Sequence, residues 1–247
     1  AGWRSSSAAG ATSGTEGHRE MTRFRTFAPP AALLLAGLAA FAALAAPALP
    51  SRAAEPAPPE AAALLRSIVA TYTGQPAFRM TFAQSYAPSG FPDAAPESGT
   101  LTIQAPHFLR FDYDGPEGKL YTFDGRTAHQ YVAADRQVMR KTLTAAEKER
   151  LPLLFLKPPA EVLDRFAAVV KPDGKGLLEL TLTPRGESEL KSVSALATPS
   201  GELKRLVVLD AEENRTTFTF TKMEPAKKRP LSDFDLVPPK GTRVVGD

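Results

Sequence analysis

Two stretches carry the clearest structural pattern in the chain: FRMTFAQ at residues 78–84 and GTLTIQAPHFLRFDY at residues 99–113. Within them, large apolar side chains alternate with polar or small ones: Phe78, Met80, Phe82, Leu101, Ile103, Leu109, Phe111 and Tyr113. A period of two is typical of strands that bury one face. The Pro-, Ser- and Gly-rich residues 88–98 and the dipeptide Asp114-Gly115 predict turns between them. The region is therefore predicted to form antiparallel strands.

The alternation continues on the C-terminal side of these stretches. Tyr121 and Phe123 predict one further strand, and four more are predicted after Gly174 from Leu178, Leu180 and Leu182; Val193, Ala195 and Ala197; Leu206 and Val208; and Phe218 and Phe220. Many short strands, with helices only at the start and in the middle, predict an α+β fold that is mainly antiparallel β and forms a barrel or half-barrel. No internal repeat divides residues 54–247, so they are predicted to form one domain.

Two regions have helical spacing instead. Apolar residues recur at helix spacing from Ala61 to Tyr72, and Gly74 predicts the end of that helix. Thr144 and Glu147 have the spacing of a capping box. The Pro158-Pro159 pair opens a further predicted helix, which places four apolar residues on one side: Val162, Leu163, Phe166 and Val170.

The N-terminal 53 residues have the composition of an export signal. Arg23 and Arg25 follow Met21, and an apolar stretch runs from residue 31 to residue 46 before Ser51-Arg52-Ala53. A basic segment, an apolar stretch of less than about 18 residues and a small-residue exit describe a secretory signal peptide. We expect the signal to start near Met21 and to be cleaved near Ala53, and a retained membrane anchor is the alternative.

The charge of the chain is concentrated in this leader. Lys plus Arg is 30 and Asp plus Glu is 27, and removing the five arginines and two glutamates of residues 1–53 leaves 25 of each. A body without net charge has no bulk attraction for nucleic acid or an anionic membrane. The chain contains no cysteine, which excludes disulfides, thiolate metal sites and an N-terminal lipid-modified cysteine.

The sequence contains no pattern that indicates catalysis or a cofactor. His107 and His129 have no metal-ligand spacing to a second histidine or to paired carboxylates. Neither a G-x-S-x-G elbow nor a phosphate-binding glycine loop is present. Asp112 and Asp114 form a conceivable carboxylate pair, but solvent-side and turn positions on either side of Tyr113 are the favoured explanation. We therefore predict a protein that is not an enzyme and has no cofactor or metal.

The apolar residues of the strands allow two interpretations. They form an ordinary filled core, or they line a chamber under the helices because a wide sheet is not filled by its own side chains. Periodicity does not separate these two possibilities.

Five segments, in chain order, resemble the motifs of one family. Residues 78–84 are similar to F-x-x-x-F-x-Q, and residues 99–113 to G-x-L-x-[VI]-x-x-P-x-x-[FL]-R-[WF]-x-Y. Residues 124–131 (DGRTAHQY), 180–185 (LTLTPR) and 233–241 (DFDLVPPKG) resemble three later motifs. Together, behind a predicted signal peptide, they resemble the periplasmic outer-membrane lipoprotein carrier (LolA) family.

The resemblance implies an open half-barrel of about eleven strands, with a helical lid over a hydrophobic cavity. It implies a periplasmic carrier, expected to be a monomer, that takes acylated lipoproteins from an inner-membrane ABC transporter and passes them to an outer-membrane receptor. The cavity wall would be Phe78, Met80, Phe82, Leu101, Ile103, Leu109, Phe111 and Tyr113. The lid would contain Leu65, Ile68, Val69, Tyr72, Leu153, Leu154, Phe155, Leu163 and Phe166.

One position departs from the family pattern. Many members have an arginine immediately before the proline of the second motif, where it hydrogen-bonds lid main chain, and here that position is Ala105. Either another basic residue, Arg110, latches the lid, or the lid is held more loosely. The departure keeps a second hypothesis open, a carrier or sensor of another acylated lipid. An acyl hydrolase that uses the cavity as its substrate pocket is a third.

Overall fold

The computed structural model describes residues 59–92 and 94–246, so the predicted leader and its cleavage site lie outside the described residues. The described part contains three α-helices and twelve strands. In chain order they are α1 (Pro59–Thr73), β1 (Ala77–Ala87), β2 (Glu97–Gln104), β3 (Phe108–Tyr113), β4 (Lys119–Phe123), β5 (Thr127–Val132), β6 (Gln137–Thr142), α2 (Ala145–Lys148), α3 (Pro159–Arg165), β7 (Phe166–Pro172), β8 (Leu178–Pro184), β9 (Leu190–Ala197), β10 (Leu203–Asp210), β11 (Arg215–Ala226) and β12 (Arg243–Gly246). Two 3-10 helices, Pro152–Leu156 and Leu231–Asp233, complete the set.

All twelve strands belong to one sheet, in the order β12-β6-β5-β4-β3-β2-β1-β11-β10-β9-β8-β7. Each neighbouring pair is antiparallel except β12 and β6, which are parallel. Strands β12 and β7 form the two edges, so the sheet does not close. The predicted fold class, a mainly antiparallel open sheet with few helices, is confirmed.

One boundary predicted from the sequence was wrong. The helix expected to carry Phe166 and Val170 ends at Arg165, and both residues lie in β7, which pairs with β8 along its whole length. Residues four apart share a face in a helix and in a strand alike, so their spacing could not separate the two. The β-branched pair Val169-Val170 and pairing with β8 favour the strand. Strands β5, β6 and β12 were also not predicted from periodicity.

The helices cover the concave face of the sheet. Helix α1 buries one stripe of side chains, and it packs against the 3-10 helix at residues 152–156, α3, β7 and β1. Helix α2 begins with the predicted capping box, in which Thr144 Oγ1 accepts from Glu147 N at 3.2 Å and Glu147 Oε2 accepts from Thr144 N at 2.9 Å. No helix in the described ranges is long and apolar enough to cross a membrane.

The C-terminal segment crosses the opposite, convex face. After β11, Arg229 N donates to Gln104 Oε1 at 2.8 Å, and the buried ring of Phe234 lies 5.2 Å from that of Phe108. The segment then reaches the edge strand β6 and adds β12 to it. It covers His129, which is fully buried with its Nε2 atom 3.7 Å from Asp235 Oδ1.

Candidate functional site

The concave face of the sheet is lined by the residues predicted as the cavity wall. Tyr113 is half-buried and packs against the core, and the other seven, Phe78, Met80, Phe82, Leu101, Ile103, Leu109 and Phe111, are buried in one hydrophobic cluster. Their aromatic rings meet at close range, with ring centroids 5.4 Å apart for Phe82 and Phe111 and 5.1 Å apart for Phe82 and Tyr113. The alternation along β1, β2 and β3 places all of these side chains on the same face of the sheet.

Most of the predicted lid residues pack directly onto this wall. The buried ones are Leu65, Ile68, Tyr72, Leu154 and Phe155, and Val69, Leu153 and Leu163 are half-buried. Phe166 is buried as well, but it is the first residue of β7 and therefore belongs to the sheet. Because helix and sheet side chains form one cluster, most of the space under the helices is filled in this structure.

A cavity of about 50 Å³ remains at one end of the concave face. Of the predicted wall, only Phe111 and Tyr113 line it. Its other apolar lining comes from Tyr86, Tyr121, Leu151, Pro152, Val208 and Phe218, and its polar lining from Gln84, Lys119, Gln130, Arg150, Asp210, Asn214 and Thr216. A cavity of this size holds a few water molecules, whereas small-molecule pockets measure about 300–1,000 Å³. The space left under the helices in this structure is therefore too small for an acyl chain.

Most of the polar groups around this cavity are paired with neighbours. Tyr113 Oη donates to Gln84 Oε1 at 2.6 Å, and Lys119 Nζ forms an ion pair with Glu97 while lying 4.1 Å from the centre of the Tyr113 ring. Burial raises the pKa of Tyr113 well above its ordinary value, and the nearby Glu97 charge adds to that rise. The Tyr113 hydroxyl therefore remains a neutral donor at physiological pH.

Sequence reasoning missed most of the cavity lining. Tyr121 and Phe218 were recognised as strand residues, and the same alternation that identified the wall could have placed them on it. The polar residues gave no such signal, because Gln84, Lys119 and Arg150 belong to no metal or catalytic motif. They meet only because β1, β4 and the chain after α2 converge at this end of the sheet.

Helix α1 is held to the turn between β9 and β10. Tyr72 Oη accepts from the buried amide of Leu203 at 3.1 Å, and Thr71 Oγ1 donates to the Ser200 carbonyl at 2.7 Å. Gly201 has a φ of +97°, and a Cβ atom there would lie 2.3 Å from the carbonyl of Ser67 in α1. The turn therefore needs glycine both for its conformation and for the close approach of the helix.

An ion pair lies within residues 145–165, which contain most of the other predicted lid residues. Arg165 Nη1, at the end of α3, lies 2.5 Å from Oε1 of Glu149, the residue that caps α2. Glu149 is 3% exposed on its side chain. Burial raises the pKa of the Glu149 carboxyl, and the Arg165 guanidinium opposes this rise. The ion pair ties the two ends of the 145–165 segment together.

The predicted latch, Arg110, does not contact the lid. Leu109 and Phe111 face the concave side, so the pleat of β3 directs Arg110 to the convex side. There its Nη1 donates to the Asp233 carbonyl at 2.9 Å, and its Nη2 pairs with Asp112 Oδ1 at 2.7 Å. Arg110 therefore holds the C-terminal segment, and the prediction that it latches the lid was wrong.

Comparisons with known proteins agree with this architecture. The family model described as outer membrane lipoprotein carrier protein LolA matches residues 74–236. An outer-membrane lipoprotein carrier protein from Chromobacterium violaceum is 28% identical over 193 residues, which are 78% of this chain and 90% of that protein. One from Xanthomonas oryzae pv. oryzae is 28% identical over 153 residues, 61% of this chain and 72% of that protein.

Solved structures are similar as well. A LolA superfamily protein from Nitrosomonas europaea is 13% identical, with a TM-score of 0.40 over 70% of this chain and 96% of that chain. The family assignment itself comes from the sequence match, which covers more than half of the chain and all of β1 to β11. By this sequence match, the chain belongs to the outer membrane lipoprotein carrier protein LolA family.

Proposed function

We propose that the protein is a periplasmic carrier that binds the acyl chains of lipoproteins released from the inner membrane and delivers them to an outer-membrane receptor. The observation that carries the proposal is the apolar concave face, which is covered by helical segments and not by a second sheet. Helix α1 is attached to the turn between β9 and β10 by two side-chain hydrogen bonds. The segment from residue 152 to residue 165 is attached by the Arg165–Glu149 ion pair and by a hydrogen bond from Arg185 Nε to the Leu163 carbonyl at 3.3 Å. Such segments can move away as units while the strand ladders stay intact.

The filled interior fits a carrier that must also release its cargo. Each buried methylene contributes about 0.8 kcal/mol, so two or three acyl chains would gain tens of kcal/mol if they entered an empty chamber. Here they replace side chains of the lid, such as Leu154 and Phe155, that already bury the same wall. The net free energy of binding is the difference between the apolar contacts that the acyl chains make with the wall and those that the lid side chains lose. Because this difference is small, the cargo can leave again.

The partners follow from this role. We infer that an inner-membrane ABC transporter supplies the lipoprotein, that an outer-membrane receptor accepts it, and that the carrier acts as a periplasmic monomer without catalysis. The two carboxylates considered for chemistry have structural contacts: Asp112 pairs with Arg110, and Asp114 Oδ2 accepts from Ser98 Oγ at 2.8 Å.

A release assay tests the proposal. Inner membranes that contain the transporter and labelled lipoproteins are incubated with ATP and the purified protein, and the soluble fraction is analysed for a one-to-one complex. Phe155→Ala, in the lid, should change the yield of complex. Val169→Ala, at a side chain that is 51% exposed on β7, should leave it unchanged. Lipoproteins that stay in the membrane despite a folded carrier and an active transporter would rule the function out.

Ala105 favours one second candidate. The half-buried Ala105 lies between β2 and β3 and has no guanidinium with which to hold lid main chain. A lid that is held by contacts other than this arginine fits a carrier of an acylated lipid other than a lipoprotein. Mass spectrometry of lipid that copurifies with the protein from the periplasm distinguishes the two, because a free lipid in place of lipoprotein supports the second candidate.

A further inference from the structure

One residue that lines the cavity at the end of the concave face has a buried hydrogen-bond donor without an acceptor. Arg150 lines the cavity, and its side chain is 12% exposed. Its Nη2 atom pairs with Glu189 Oε2 at 2.9 Å, but its Nε atom is buried and has no hydrogen-bond partner among the described residues. A buried donor without a partner is costly in a folded protein, so an acceptor that reaches Nε when the cavity widens would be stabilising.

The charges around the cavity are already balanced. Lys119 is paired with Glu97, and Arg150 is paired with Glu189. Asp210, also in the lining, accepts from Asn214 N at 2.8 Å and from Asn214 Nδ2 at 3.0 Å, and it adds a negative charge. A carboxylate or phosphate of a ligand would find no unpaired cation in this lining and would be repelled by the Asp210 carboxylate. The lining therefore favours a neutral acceptor oxygen over an anionic one.

Apolar side chains lie directly beside this polar end. Phe111, Tyr121 and Phe218 belong to the same lining, and their ring centroids are 5.7 Å apart for Phe111 and Tyr121 and 5.8 Å apart for Phe111 and Phe218. They continue into the apolar wall that the lid covers. A ligand that satisfies both parts has an acceptor oxygen joined to a hydrocarbon chain.

We propose that Arg150 Nε binds the carbonyl oxygen of an acyl ester, at the junction where an acyl chain joins glycerol. The first methylenes then lie against Phe111, Tyr121 and Phe218, and the chain continues along the wall after the lid moves. This inference rests on the proposed function and adds a polar recognition site to it. The ion pair with Glu189 keeps Arg150 beside the sheet when residues 152–165 move, and that movement opens both Nε and the space for the chain.

The test compares ester-linked and ether-linked lipids of equal chain length. Dipalmitoylglycerol, its dihexadecyl ether analogue and palmitate compete with a fluorescent apolar dye for the purified protein. The wild type should bind the ester roughly ten- to a hundredfold more tightly than the ether, which is the range for a hydrogen bond to a charged group. Arg150→Met should bring this ratio close to one without changing the ether affinity. Glu189→Gln, the matched control, removes the ion-pair partner but keeps Nε and should retain the ratio.

Several outcomes would overturn the proposal. Equal binding of ester and ether by the wild type would show that Nε does not bind the ester carbonyl. An unchanged ratio in Arg150→Met, with the fold verified by its thermal melting curve, would place the preference elsewhere. Tighter binding of palmitate than of the ester would contradict the charge argument. In each case ether binding and lipoprotein release would persist. The proposed function would then remain supported, and only the ester site at Arg150 would be rejected.

A final comparison assigns the source of the ester. A synthetic diacylglyceryl-cysteine peptide presents the same ester on a protein terminus, whereas dipalmitoylglycerol presents it as free lipid. Binding of the lipopeptide at least as tight as that of the free lipid supports a lipoprotein ligand. Binding more than tenfold weaker would overturn that assignment in favour of a free acyl lipid.

Discussion

Tyr72→Phe tests how firmly α1 is held against the sheet. The substitution removes one oxygen atom and leaves the ring, whose centroid lies 5.5 Å from that of Phe78. The lost hydroxyl accepts from the Leu203 amide at 3.1 Å, and Leu203 is 1% exposed, so that amide would stay buried without this partner. The cost is about 1–3 kcal/mol. Because the amide is hydrated once α1 leaves, this range corresponds to a roughly 5- to 150-fold larger open population.

Native-state hydrogen exchange measures that population directly. We expect amides of α1 and the Leu203 amide to exchange faster by this factor, while amides of β3 keep their wild-type rates. Tyr121→Phe is the matched control, since Tyr121 is also a buried phenol but lies in β4. If protection falls equally in α1 and in the sheet, α1 does not open as a unit. If α1 exchange stays the same, the hydroxyl does not hold the helix.

Three further results are expected. Gly201→Ala should destabilise the protein by at least about 1–3 kcal/mol in urea titration, because of its positive φ and its contact with Ser67; wild-type stability would contradict this close approach. Burial lowers the pKa of His129, with the Arg140 charge adding to this effect and the Asp235 and Asp124 charges opposing it. The unfolded chain therefore binds the proton more readily than the folded one, and stability should fall as pH drops below about 6.5. His129→Gln should flatten that curve, and an unchanged curve would exclude His129 as the cause. Phe111→Ala should cost about 3–5 kcal/mol as a core truncation; a loss below about 1 kcal/mol, measured in the same titration, would show that the wall is loosely packed.

Much of the sheet could be predicted from the sequence because its strands alternate cleanly. In β1, the buried Phe78, Met80 and Phe82 alternate with exposed Arg79 and Thr81, so the period of two is unambiguous. Strand β5 shows no such alternation, because the three consecutive residues Ala128, His129 and Gln130 are all buried. The concave core covers one face there, and the C-terminal segment covers His129 on the other. That second layer comes from residues about a hundred positions away and leaves no local pattern.

The candidate site could be predicted only in its apolar half. Periodicity places Phe111 and Tyr113 on the inner face, and both line the cavity. Whether the inner face is filled or hollow depends on the docking of the lid, which has no signature in any single strand. The role of Arg110 was misjudged because basic residues were considered by sequence neighbourhood, whereas the pleat of β3 decides which side the guanidinium occupies. Arg150 gave no signal, since its partner Glu189 is distant in the chain.

The unpaired edges at β7 and β12 have a mechanical consequence. In a closed barrel, strand number and stagger fix the radius, and the interior cannot grow unless a ladder breaks. This sheet has no such constraint, because β7 and β12 lie at its two edges and do not pair with each other. The curvature of the sheet can change while every neighbouring pair of strands keeps its hydrogen bonds. The width of the concave face therefore adjusts to the ligand that it holds. We therefore expect capacity to be set by how far the edges spread, and not by the number of strands.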